Sequence, residues 1–208
     1  MTVYKLNDHT IHFDSIKHQY VVDGKPVMSV SQLIATLMPR KTARIDPIRL
    51  EKAAEKGQSL QAMIKDYEAH ALKSVHPELT SYLNLKRAHQ FDVLDQNCPI
   101  LIKHHGVVIA AGMFDLLVTS PHQKGQGIAQ IKRMIHLDLP RIRLQLNLYK
   151  LGYEQTTRQK LHYLKCLHIR HRHAEYIDIP QDTALAKTAL NTYWNQHNLD
   201  AADLWSDG

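Results

Sequence analysis

Hydrophobic and polar residues alternate near the start of the chain in the pattern of half-buried β-strands. Within residues 10–22 the apolar members are β-branched or aromatic side chains: Ile11, Phe13, Tyr20 and Val22. Asp23-Gly24 follows directly, and this dipeptide favours a tight hairpin turn. With a further short strand expected over residues 27–30, the N-terminus is predicted to form a small β-hairpin unit.

Helical patterns follow in three segments. Ser31 is expected to be the N-cap of a helix over residues 32–37, because a serine hydroxyl satisfies a free N–H group of the first turn. A second helix is expected to begin at Asp46 and to continue towards His70. A third helix is predicted over residues 77–91.

Short β-branched runs dominate the second half of the chain and are typical of buried strands. Strands are predicted over residues 100–102, 107–118, 128–135, 161–169 and 174–179. A helix is expected from Asp138 to Gly152, where the glycine favours a C-terminal stop, and a last helix follows Asp182. This order of elements predicts an α/β fold with a mixed central β-sheet flanked by α-helices.

Length and composition indicate a folded domain. The chain has 208 residues, of which 44% are hydrophobic and 22% charged. These proportions exclude intrinsic disorder as the main state. We expect a single domain over residues 1–208, in which an N-terminal hairpin and helical segment (1–98) packs on a core (99–208).

Cysteine content and hydropathy indicate a cytoplasmic protein without a membrane partner. Cys98 and Cys166 are too few for a disulfide framework or a four-thiolate metal cluster, which favours a reducing compartment. The first residues lack the apolar region of a signal peptide. The strongest apolar run, residues 107–118, contains Asp115 and is too short to span a bilayer.

The charge balance is mildly positive, with 26 Lys and Arg against 20 Asp and Glu and a net charge of +6. This balance suits a polyanionic partner such as nucleic acid, although a solvated surface gives the same number. The 15 histidines also allow a pH-responsive regulator, a hypothesis that rests on composition alone. His168, His171 and His173 cluster at a predicted hairpin turn, where a solvated basic tip is favoured over a zinc site.

Three polar features lie on consecutive predicted elements of the second half. Asp115 lies inside an apolar strand, and a buried carboxylate requires a cation, a metal or several N–H donors. Gln130 and Lys132 share one face of the next strand, and Gln145 and Tyr149 share one face of the next helix. Taken singly, these features are also explained by an ordinary Asp115–Lys132 salt bridge and a polar helix face.

Taken together, Gly112-x-x-Asp115, Lys132 and Gln145-x-x-x-Tyr149 resemble the motifs of the PD-(D/E)XK nuclease superfamily, in particular its RecB-like and phage-type exonuclease branch. The resemblance extends over most of the chain. Further segments that resemble members of this branch are His18-Gln-Tyr20, Asp23-Gly24 and residues 26–33, 51–57, 164–170 and 176–179. The resemblance implies a restriction-endonuclease-like core and an origin in a phage or prophage.

Carried over residue by residue, the resemblance implies a Mg²⁺ or Mn²⁺ cofactor. Asp115 corresponds to the metal-binding aspartate and Lys132 to the catalytic lysine. The main-chain carbonyl of Ile131 corresponds to the usual backbone metal ligand. Gln145 and Tyr149 correspond to the pair that organises the active site and the DNA end.

Two positions depart from the family pattern. Gln130 stands where the family has Glu or Asp, and Gln61 stands where many members have a metal-binding histidine. An amide oxygen can ligate a cation but carries no negative charge, so weaker metal binding is expected. Gln130 is either a natural divergence or an isosteric substitution of the kind that inactivates an enzyme.

The resemblance therefore implies a metal-dependent DNA nuclease, in the first instance an exonuclease. The alternative is a catalytically inactive module of the same fold that binds DNA or protein. A homo-oligomer, or an assembly with a recombination or defence protein, is compatible with both. Basic residues expected to contact DNA phosphates are Lys41, Arg44, Arg141, Arg143 and the Arg170–His173 tip.

Overall fold

A mixed β-sheet is the central feature of the fold. The structure, a computed structural model, describes residues 1–15, 17–39, 60–70 and 76–197. In these ranges the strands are β1 (Thr2–Leu6), β2 (His9–Asp14), β3 (Gln19–Val22), β4 (Lys25–Ser29), β5 (Asp92–His104), β6 (Val107–Thr119), β7 (Gln126–Lys132), β8 (Leu161–Arg170) and β9 (His173–Ile179). The helices there are α1 (Val30–Leu37), α2 (residues 60–70), α3 (Pro77–His89), α4 (Leu139–Thr157) and α5 (Thr183–Gln196). The predicted α/β fold with a mixed central sheet and flanking helices is confirmed.

The sheet is arranged around β6. β5 pairs antiparallel with β6 along one edge, over almost its whole length. On the other edge, β4 pairs in parallel with Ala110 and Ala111, and β7 pairs antiparallel with Leu116 to Thr119. Within the described residues no strand pairs with residues 112–115 of β6 on that edge, so side chains have access to this part of the backbone.

The other strands extend the sheet on both sides of β6. β1, β2, β3 and β4 follow one another as an antiparallel series, and β8 lies parallel to β7 and antiparallel to β9. A parallel pair requires a crossover connection, and α4 supplies the crossover from β7 to β8. This connection places α4 across one face of the sheet, next to the unpaired part of β6.

Apolar side chains cover both faces of the sheet. Leu33 of α1, Leu148 of α4 and Leu190 of α5 belong to a buried cluster on one face. Leu60 of α2 and Tyr82 of α3 belong to a second cluster on the other face. No helix in the described ranges is long and apolar enough to cross a membrane.

The N-terminal strands belong to the same sheet as the second half of the chain. A third cluster joins side chains of β2 and β3 to Leu101 of β5 and Ala111 of β6. The expected division between residues 1–98 and 99–208 falls inside β5. Because β4 pairs directly with β6, the N-terminal strands and the later strands form one continuous sheet.

Two helix ends differ from the prediction. The N-cap of α1 is Ser29, since its hydroxyl accepts from the N–H of Gln32 and its own N–H donates to the Gln32 side chain, so the assignment to Ser31 was wrong. The helix α4 does not stop at Gly152 but continues to Thr157. A Cβ at Gly152 would lie 2.8 Å from Cδ1 of Ile100, so the glycine permits close packing of α4 on β5.

Some strand boundaries also differ from the prediction. β1 was not predicted, β5 begins at Asp92 rather than at residue 100, and β7 ends at Lys132 rather than at residue 135. The helix expected to begin at Asp46 lies largely outside the described residues, of which residues 60–70 are helical.

We expect Ser29→Ala to lower the free energy of unfolding by about 1 kcal/mol, because it removes one half of a reciprocal cap. Ser31→Ala is the matched control and should change stability by less than about 0.5 kcal/mol, as surface substitutions usually do. Urea unfolding of both variants measures the difference. Equal losses would show that the cap is not at Ser29.

Candidate active site

The carboxylate of Asp115 lies in the unpaired part of β6 and is the centre of the candidate site. Asp115 is 9% exposed. Its Oδ2 accepts from the N–H of Ile131 at 2.7 Å, and its Oδ1 accepts from Nε2 of Gln61 at 2.9 Å. Burial raises the pKa of Asp115 to about 6, although the Lys132 charge and the hydrogen bond from Ile131 act in the opposite direction.

The side chain of Gln130 closes the gap in the β6 ladder. Gln130 is buried on β7, and its Oε1 accepts from the backbone N–H of Asp115 at 3.3 Å. A side chain thus takes the place of a strand partner at this point. The Gln130 side chain also hydrogen-bonds the Asp115 carboxylate, so the two predicted site residues lie in contact.

Lys132 makes its hydrogen bond to α4 rather than to Asp115. Its Nζ donates to Oε1 of Gln145 at 2.7 Å. Among the described residues no ion pair within 4 Å joins Lys132 to Asp115, so the two charges act on each other without a direct salt bridge. Burial lowers the pKa of Lys132, and the nearby Asp115 carboxylate acts to raise it.

The pair on α4 extends this chain of hydrogen bonds. Gln145 Nε2 donates to the hydroxyl of Tyr149 at 3.1 Å, so both ends of the amide have partners. Burial raises the pKa of Tyr149, which keeps its hydroxyl protonated. A Cβ at Gly112 would lie 2.9 Å from Cε1 of Tyr149, so the motif glycine makes room for this ring.

A cavity of about 220 Å³ opens between α1 and α4, beside the hydrogen bonds that join Lys132, Gln145 and Tyr149. Lys132 and Gln145 line it together with Ser31 and Arg141. The guanidinium of Arg141 donates to the carbonyl of Met38, which holds this charge at the wall of the cavity. The cavity is therefore lined by two cationic side chains and one carboxylate, since Asp138 also lies in its wall and pairs with Arg141 at 3.6 Å.

The other basic residues predicted to contact DNA lie in different surroundings. Arg143 forms a 2.8 Å ion pair with Asp182 at the start of α5 and does not line the cavity. Arg170 is at the end of β8, where it pairs across the hairpin with His173. Lys41 and Arg44 lie outside the described residues.

The hairpin tip between β8 and β9 is only partly as predicted. His171 and His173 are exposed, but His168 is 7% exposed, so the expectation of a solvated tip is wrong for this residue. The sequence alone did not show this burial, because it results from contacts of His168 with Met134 and Glu175.

A buried ion pair next to the site was missed by sequence reasoning. Glu78 of α3 accepts from Nε of Arg133 at 2.7 Å and from the N–H of His171 at 3.0 Å. Burial opposes ionisation of Glu78, but the Arg133 guanidinium and these hydrogen bonds prevail and lower its pKa. The only sequence signal was an acidic residue in the first turn of α3, which is ordinary at a helix N-terminus. The pair links α3 to the residue that follows Lys132.

No protein-family model and no curated protein matches the chain. Among solved structures, the chain is similar to one described as "Crystal structure of SSO0001", with 15% sequence identity and a TM-score of 0.37. The match covers 82% of this chain and 84% of that chain. A similarity of this size carries no functional argument, so the arrangement of the side chains supports the conclusions that follow.

We expect Asp115→Asn to remove a pH dependence of stability. Since burial raises the folded pKa of Asp115 to about 6, the folded chain binds its proton more tightly than the unfolded chain. The native protein should therefore gain stability relative to the variant as the pH falls from 7 to 5. Thermal melting of both proteins across this pH range, without added metal, measures the difference. If the melting temperatures of the native protein and the variant change with pH in the same way, the prediction is wrong.

Proposed function

We propose that this protein is a divalent-metal-dependent nuclease that hydrolyses DNA phosphodiester bonds, with a metal site weakened by Gln130. The observation that carries the proposal is that Asp115 and Gln130 meet at the unpaired part of β6, while Lys132 on the same strand as Gln130 lines the adjacent cavity. Exonuclease action and a phage or prophage origin remain predictions from the sequence resemblance.

The donor atoms present fit a hard cation such as Mg²⁺ or Mn²⁺. Asp115 offers a carboxylate and Gln130 an amide oxygen, and the resemblance adds the carbonyl of Ile131. Mg²⁺ is commonly bound by one or two carboxylates, several waters and substrate phosphates. A half-turn of the Gln61 amide would present its oxygen, instead of its NH₂ group, towards the same place.

The charges of the site indicate that the cation and DNA bind together. The negative charge of Asp115 is balanced by the positive charge of Lys132, so the residues alone attract a cation weakly. A DNA phosphate adds negative charge and further oxygen ligands. We therefore expect metal affinity to rise in the presence of DNA.

The protein's own groups hold the reacting parts in place. A bound cation would polarise the phosphate and lower the pKa of an attacking water. The N–H of Ile131 orients the Asp115 carboxylate, and Gln145 fixes the ammonium group of Lys132 at the cavity wall. From this position Lys132 stabilises negative charge that develops on a phosphate, and a preorganised charge of this kind is effective in a partly buried site.

The second candidate is a DNA-binding module that has lost catalysis. It is favoured by the hydrogen bonds to both oxygens of Asp115, which satisfy the carboxylate without a metal. Both candidates share DNA as partner. The buried thiols of Cys98 and Cys166 agree with a reducing compartment such as the cytoplasm. A homo-oligomer or a recombination or defence partner stays a prediction.

Gln130→Glu distinguishes the two candidates. The substitution adds one negative charge and keeps the side-chain length and the strand position. We expect cleavage to rise by about 10²–10³-fold, the usual effect of a single preorganised charged or polar group in a catalytic site. Cleavage is measured on linear and circular, single- and double-stranded DNA, with Mg²⁺ and with Mn²⁺.

The double variant Asp115→Asn/Gln130→Glu is the matched control, since it restores the total charge of the native site but lacks the central carboxylate. It should be inactive. If the Gln130→Glu chain is folded and binds DNA but cuts none of these substrates, the binding module replaces the nuclease.

Arg141→Gln should weaken DNA binding, because this residue lines the cavity, whereas Arg143→Gln should not. Losing one phosphate contact reduces the slope of log affinity against log salt by about 1. Fluorescence anisotropy with labelled DNA in EDTA, at several salt concentrations, measures both variants. Equal effects would show that DNA does not follow the cavity.

A further inference from the structure

Three side chains of the kind that ligate transition metals lie together on the β8–β9 hairpin. His168 on β8 lies directly across from Glu175 on β9, and His173 shares the face of Glu175 two residues earlier. Nδ1 of His168 is 3.1 Å from Oε2 of Glu175. Nε2 of His173 is 3.1 Å from Oε1 of the same carboxylate, and one ligand atom from each residue lies within 4.8 Å of the others.

The hydrogen bonds of His168 determine which ring nitrogen carries a hydrogen. Its Nε2 is 2.8 Å from the carbonyl oxygen of Met134, and a carbonyl only accepts, so Nε2 is the donor. In the neutral ring, Nδ1 then presents a lone pair to the carboxylate of Glu175, which also only accepts. Two acceptors at 3.1 Å repel each other unless a proton or a metal ion lies between them.

The same arrangement is typical of histidines that ligate metals. Such a histidine usually donates its second ring N–H to a carboxylate or a backbone carbonyl, which fixes the tautomer and the ring orientation. His168 is buried and held in this way by Met134. His173 is exposed, so its ring can rotate onto an ion without disturbing the core.

We infer that His168, His173 and Glu175 form a binding site for a first-row divalent transition metal such as Zn²⁺. Imidazole nitrogens suit this class of ion, and three protein ligands leave a fourth position for water. Tetrahedral bonds of 2.0–2.2 Å place neighbouring ligand atoms roughly 3.3–3.6 Å apart. One ligand atom from each of the three residues lies within 4.8 Å of the others, so a small rotation of the exposed His173 ring brings the set to this spacing.

This site is separate from the proposed nuclease site and does not depend on it. The Asp115 site offers oxygen atoms, which suit Mg²⁺ and Mn²⁺, whereas the hairpin offers two nitrogens and one carboxylate. Lys132 and His168 are register partners on β7 and β8, so the two sites lie at the same end of neighbouring strands.

Titration calorimetry of the full chain with Zn²⁺ tests the inference. We expect one tight site per chain in the native protein. His173→Asn should weaken binding by more than 100-fold, since loss of an outer-shell partner alone typically costs about 10–100-fold. Mg²⁺ in large excess should not compete.

His171→Asn is the matched control, because it makes the same replacement at an exposed position of the same hairpin turn. Asn tolerates the left-handed backbone at this position, where φ is 49°. This variant should keep the native affinity. Equal losses for His171→Asn and His173→Asn, or no tight site in the native chain, would overturn the inference.

Glu175→Gln gives a second test, since it keeps the side-chain length and its amide NH₂ group can donate to Nδ1 of His168, so the buried ring keeps a partner. It should also weaken Zn²⁺ binding, and native affinity in this variant would overturn the assignment of the carboxylate. Asp115→Asn should leave Zn²⁺ binding unchanged. Failure of the zinc site and failure of the nuclease are therefore distinguished by different variants.

Discussion

The burial of one carboxylate in the central sheet is the constraint on which the candidate site depends. Asp115 lies where β6 has no strand partner between β4 and β7, and a buried charge is unfavourable unless donors surround it. The N–H of Ile131 and the amide of Gln61 supply these donors. The contact with Ile131 also fixes β7 against β6 and so brings Gln130 to the N–H of Asp115. The site is thus part of the sheet and is not carried by a mobile loop.

The balance of charge then decides what the site can do. A single carboxylate faces a single lysine, and that lysine is held by Gln145 on α4. For such a site we expect weak binding of a cation by the residues alone and no net repulsion of a phosphate. The proposed nuclease and the inactive DNA-binding module share Gln130, the fold, the cavity and the chain of hydrogen bonds to Tyr149, and they differ in whether the site still binds a metal ion.

Much of the fold was predictable because it follows from local periodicity. The N-terminal alternation, the β-branched runs and the helix α3 were predicted close to their observed positions. The failures have identifiable causes. Ser29 and Ser31 are both good caps by residue type, but Gln32 follows Ser29 at the spacing of a capping box, a signal that the sequence carries and that the prediction of Ser31 overlooked. Gly152 is a common helix stop by residue type, yet here it serves the close approach of α4 to Ile100.

For the site, the local sequence pattern was enough to predict which side chains share a face. The twofold period of a strand put Gln130 and Lys132 together, and four residues of helix did the same for Gln145 and Tyr149. The contact of Lys132 with Gln145 rather than Asp115, and the burial of His168, could be seen only in the folded chain. These contacts depend on the register of separate strands and on the packing of α4. The local pattern of residues carries no information on these distances.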